Sequence, residues 1–107
     1  MIDVAVLGAG DIGGACALAL AESDQVHRVT IIDSAGKAAE GKALDIRQSG
    51  AIGGFDTAVV GTDDPARTVG ASVWVLADRF ETGSPEWNGD RGLALLRQLG
   101  AEIGRAH

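Results

Sequence analysis

Short apolar runs separated by segments of helical period set the rhythm of this chain. Ile2-Asp3-Val4-Ala5-Val6-Leu7 is a six-residue run that predicts a buried strand. Apolar residues then fall at Ile12, Ala15, Cys16, Ala19 and Leu20, one face of a helix ending near Ser23, with Cys16 expected on the buried stripe. Residues 29–32 predict a second strand closed by Asp33, and His27 falls in the polar connection before it. A second helix is expected over 37–48, with Ala39, Ala43 and Ile46 as its stripe and Leu44 alongside. Gly50 stands where a left-handed C-terminal glycine would close it. After a glycine-bearing connection, 57–61 predicts a third strand. Thr62-Asp63-Asp64-Pro65 then turns the chain, with Asp64 as N-cap and Pro65 opening a short helical turn. Residues 72–77 carry no charge at all, the character of a parallel strand covered on both faces.

Beyond residue 77 the texture becomes polar. Residues 78–90 read as a loop, and from 91 onward Leu96, Leu99 and Ile103 keep the register of a last helix. The alternation of strand and helix predicts an α/β fold: a Rossmann-type parallel sheet of about four strands with helices on both faces. The expected strand order is 3-2-1-4, an incomplete version of a doubly wound domain that takes in all of 1–107. In that order the fourth strand is left as an edge with no charge or proline to blunt it, so the 107 residues by themselves are expected to self-associate.

Composition narrows the possible partners. A hydrophobic fraction of 46% fits a packed core, and a net charge of −6, from 15 acidic and 9 basic residues, disfavours nucleic acid and anionic lipid. One cysteine leaves no intrachain disulfide and no multi-cysteine metal site, so no metal is expected and a reducing compartment is. The start lacks the pattern of a signal peptide, and no run reaches the ~20 apolar residues of a membrane span. The expected location is the cytoplasm.

The candidate chemistry lies between the first strand and first helix. Gly8-Ala9-Gly10-Asp11-Ile12-Gly13 has the G-x-G-x-x-G spacing. Gly8 permits the tight turn, Gly10 lets a pyrophosphate approach bare backbone, and Gly13 lets helix and strand pack closely. Asp11 and Ile12 lie in the first turn of a helix whose N–H groups and dipole favour phosphate. Asp33 ends the next strand twenty residues after Gly13, where a carboxylate meets the adenine-side ribose hydroxyls. These residues predict a dinucleotide site that prefers NAD to NADP, because Asp33 would face an added phosphate and Ser34-Ala35-Gly36 offers no compensating arginine.

Together with Gly41-Lys42-Ala43-Leu44-Asp45-Ile46 and Gly61-Thr62-Asp63-Asp64, these motifs resemble the N-terminal half of the lactate/malate dehydrogenase family over 1–77, more loosely beyond. The resemblance implies an oxidoreductase that moves a hydride between NAD and a small 2-hydroxy or 2-oxo acid. It implies that Thr62 borders the adenine side and that Ala77, Asp78 and Gln98 lie toward the nicotinamide. It further implies that 78–91 is a substrate-lid loop and that Arg91 is the catalytic arginine over the reacting carbonyl. Asp78 stands where the family has a glycine, and Gln98 where it has an asparagine. The family's catalytic histidine and its partners belong to a second half, so these 107 residues alone are expected to be inactive and to work as a homo-oligomer or with that half. A stand-alone NAD-sensing module of the same fold is the alternative, and it would need no arginine-bearing lid.

Overall fold

The computed structural model describes residues 2–76 and Arg97, which is helical and exposed. Four strands, β1 (Ile2–Leu7), β2 (Val26–Ile32), β3 (Ala58–Thr62) and β4 (Val73–Leu76), form one parallel sheet in the order β3-β2-β1-β4. Two helices, α1 (Asp11–Ala21) and α2 (Gly36–Gly53), and a 3-10 turn over Pro65–Thr68 make the connections. The α/β class and the strand order agree with expectation. The predicted last helix and the loop before it fall outside the described residues, apart from Arg97.

One face of the sheet is covered by both helices. Val4, Val6, Val29, Ile31 and Val59 meet Ala17 and Ala21 of α1 and Ala39, Ala43 and Ile46 of α2. Each fully buried Val or Ile here contributes roughly 1.5–3 kcal/mol. The buried row of α1 is Gly13, Ala17 and Ala21, not the expected row through Ile12, Ala15 and Ala19, and Cys16 is only half-buried. Ile12 is 61% exposed. The smallest residues, not the most apolar, mark the face that approaches the sheet, because a small side chain brings the helix axis closer. The stripe expected on α2 is the one observed.

Small residues decide the α2–β3 contact as well. A Cβ at Gly61 would collide with the backbone carbonyl of Ala39, so the strand and helix touch main chain to main chain. Gly61 lies in β3 as expected, and the strand runs one residue further, to Thr62, which the sequence placed in the turn. The second helix is longer than expected and closes at Gly54, whose φ of 87° is left-handed and whose N–H donates to Gly50 O at 2.9 Å. Gly50 is instead helical and buried, and it must be small, because a Cβ there would lie 2.8 Å from the Phe55 ring. The ring fills the space that the missing side chain leaves.

β2 begins three residues before the expected start, so His27 is a strand residue. Its pairing with β1 extends from Val26 opposite Ile2 to Ile32 opposite Leu7; Arg28 pairs with Asp3, and His27 sits at the register shift between the first two pairs. The turn after β3 matches its reading: Asp64 Oδ1 accepts from Ala66 N at 3.0 Å and Pro65 follows. The other sheet face holds Ala5, Leu7 and Ile32 with Ala71, Trp74 and Leu76 against them. Among the described residues it is the thinner layer. Val73 is exposed and the rest of β4 half-buried, short of the two-sided cover its apolar sequence suggested, because β4 is an edge strand of this sheet.

Candidate functional site

Parallel strands all present their C-terminal ends to one edge; the chain runs from β1 outward to β2 and β3, then crosses back to place β4 on the other side of β1. Leu7 pairs with Leu76, so β1 and β4 end side by side where the strand order reverses. A crevice of this kind is where open α/β sheets bind ligands.

Gly8 leaves β1 with φ 105°, a left-handed conformation that a side chain would strain, while its N–H still donates to Ile32 O at 2.8 Å. Gly10 is the extended N-cap of α1 and, lacking a side chain, makes no side-chain cap hydrogen bond of its own. The first turn, with Asp11 and Ile12, carries the partial positive charge of a helix N-terminus. Gly13 sits on the sheet-facing row of α1, where close packing is needed.

Asp33 is fully buried. Its Oδ2 accepts from Ala9 N at 2.9 Å and its Oδ1 from Ala35 N at 2.8 Å. One carboxylate thus ties the glycine turn after β1 to the turn after β2. Hydrogen bonds to an ionised acceptor contribute about 1.5–3 kcal/mol each, so this bridge fixes the shape of the turn. Thr62 stands beside it: Asp33 N donates to Thr62 O at 3.1 Å, and Thr62 Oγ1 accepts from Asp64 N at 3.0 Å. Gly8, Gly10, Asp11, Ile12, Gly13, Asp33 and Thr62 are thus gathered along one sheet edge. Ala77, Asp78, Arg91 and Gln98 lie outside the described residues.

Ala9 and Ala35 escaped the sequence reading because they act through backbone N–H groups, which leave no mark on residue type. A second missed feature is Lys42, whose Nζ lies 3.8 Å from Oδ1 of the fully exposed Asp11. A hollow of about 860 Å³ lies at the opposite edge of the sheet, lined by residues such as Glu22, Asp24, His27 and Phe55. Among the described residues there is no cluster of three metal-ligating side chains, and no helix long and apolar enough to cross a membrane.

The sequence profile of the lactate/malate dehydrogenase NAD binding domain matches residues 2–98. A malate dehydrogenase of Bacteroides thetaiotaomicron is 42% identical over 77 residues, which are 71% of this chain and 25% of that protein. The 1.55 Å structure of malate dehydrogenase from Salinibacter ruber superposes with a TM-score of 0.69 at 37% identity, covering 73% of this chain and 26% of the other. A lactate dehydrogenase of Cryptosporidium parvum, solved with lactic acid and nicotinamide adenine dinucleotide, gives a TM-score of 0.65 at 35% identity over 72% of this chain and 24% of its own. The chain spans about a quarter of the length of these relatives.

Proposed function

The chain belongs to the lactate/malate dehydrogenase family as its NAD-binding domain, and on that premise we propose that its strand C-termini hold NAD for hydride exchange with a small 2-hydroxy acid of the malate or lactate type. The observation that carries the reading is the bond from Ala9 N to Asp33, which holds the glycine turn and a buried carboxylate as one unit. The donor set fits the cofactor: backbone N–H groups at a helix start suit a pyrophosphate, and a carboxylate beside them suits ribose hydroxyls. Carboxylate oxygens accept more than one hydrogen bond each, so Asp33 can receive a hydroxyl without releasing Ala9 or Ala35.

Bound NAD would supply the hydride chemistry; the protein's own part is orientation. The glycine turn sets where the pyrophosphate lies, Asp33 anchors the adenine-side ribose, and Thr62 bounds that side. On the family resemblance alone, the reading assigns Ala77, Asp78 and Gln98 to the nicotinamide end, 78–91 to a substrate lid and Arg91 to the substrate carbonyl. It also takes the protein as cytoplasmic, working as a homo-oligomer or with a C-terminal half. The 107 residues alone would then show no malate- or lactate-dependent turnover.

The test is a fluorescence titration with NADH on the native chain and on Gly10→Val. The variant should lose at least about a hundredfold in affinity, roughly 3 kcal/mol, while its unfolding midpoint stays close to native. Equal affinities would mean that the glycine fingerprint is only a turn.

A further inference from the structure

We propose that Lys42 of α2 serves the pyrophosphate end of this site, as the counter-charge that lets a helix with an acidic first turn accept a doubly negative ligand; this rests on the cofactor reading above. Asp11 places a fully exposed carboxylate in the turn where the phosphates would lie. A carboxylate there suits the helix dipole but repels a pyrophosphate.

Lys42 answers that charge from the neighbouring helix. Its ammonium lies 3.8 Å from Asp11 Oδ1, and its stem lies along α1 at Gly14. A Cβ at Gly14 would be 3.3 Å from Lys42 Cδ, 3.5 Å from Cε and 3.6 Å from Nζ. Three successive atoms of the lysine therefore follow the space that the glycine leaves, which directs the ammonium to the start of α1. The groove of about 240 Å³ between the helices also exposes Asp45, so Lys42 sits among carboxylates of both helices. An exposed pair at this distance contributes little to folding. Its geometry instead puts a cation beside an anion-binding helix end, where charge acts on the ligand.

The test compares NADH with adenosine, which has the ribose but no phosphate, on the native chain, Lys42→Met, Lys42→Arg and Asp11→Asn. Methionine keeps the half-buried stem and removes the charge. At ~20 mM salt, Lys42→Met should weaken NADH binding about three- to tenfold, and this loss should shrink at ~0.5 M as the charges are screened. Adenosine affinity should not change, Lys42→Arg should bind NADH like the native chain, and Asp11→Asn should bind it a few-fold more tightly. Native-like NADH affinity of Lys42→Met at low salt, an equal loss for adenosine, or weaker binding by Asp11→Asn overturns the proposal and leaves the cofactor reading standing. A native chain that binds no NADH removes both.

Discussion

The two ends of the sheet differ in what they offer a ligand, and the emptier one is not the better site. At the C-terminal end the groups are backbone and buried: Gly8 at φ 105°, the N–H groups of Ala9 and Ala35, and Asp33 between them. At the N-terminal end they are exposed side chains: His27 Nδ1 meets Asp3 Oδ1 at 3.2 Å in the open. The wide hollow there faces the C-terminus of α1 at Glu22 and of α2 at Gly54, with Asp24 and Asp56 on its rim. Helix C-termini carry partial negative charge, and the rim adds acids, so the field in that hollow repels phosphate. Volume shows where a ligand would fit; the sign of the field shows which ligand would stay.

Substitutions at the two ends should separate in size. Gly61→Ala is expected to have the largest effect, because its Cβ would enter the Ala39 carbonyl and force α2 off β3. A loss of about 3 kcal/mol or more in urea unfolding is expected, as for other overpacked backbone contacts. Gly41→Ala is its control: it has open space around the added Cβ, lies within α2 and should stabilise by up to about 1 kcal/mol. Next comes Asp33→Ala, which leaves the N–H groups of Ala9 and Ala35 without their acceptor. About 2–4 kcal/mol of stability should go, and NADH affinity with it. His27→Ala, at the other end, removes only an exposed pair and should cost under about 0.5 kcal/mol, with NADH affinity unchanged. If His27→Ala harmed binding as much as Asp33→Ala, the contrast between the two ends would be wrong.

The order of elements was legible because the strands are short, mostly apolar runs and the glycines mark the tight turn from β1 into α1. Asp33 was legible for a similar reason, since a lone acid at a strand end in that spacing has few other roles. What could not be read were contacts set by main chain and by absent atoms. The buried row of α1 runs through Gly13, Ala17 and Ala21, residues too small to stand out on a hydrophobicity scale. The closing glycine of α2 is Gly54, with φ 87°, and not Gly50, which stays helical with the Phe55 ring against it; that tertiary contact is not written in the local sequence. His27 looked like a loop residue because a strand's polar start is defined by its partner's hydrogen bonds, which one sequence does not contain. Within the site, the carboxylate was visible and the N–H groups it holds were not.

The most direct test of the account is to follow backbone amide signals by nuclear magnetic resonance while NADH is added to the native chain. The amides of Gly8 to Gly13, of Asp33 to Ala35 and of Thr62 should shift with a single dissociation constant, while those of Ser23, His27 and Phe55 stay in place. Shifts confined to the N-terminal hollow, or none at the glycine turn, would contradict it.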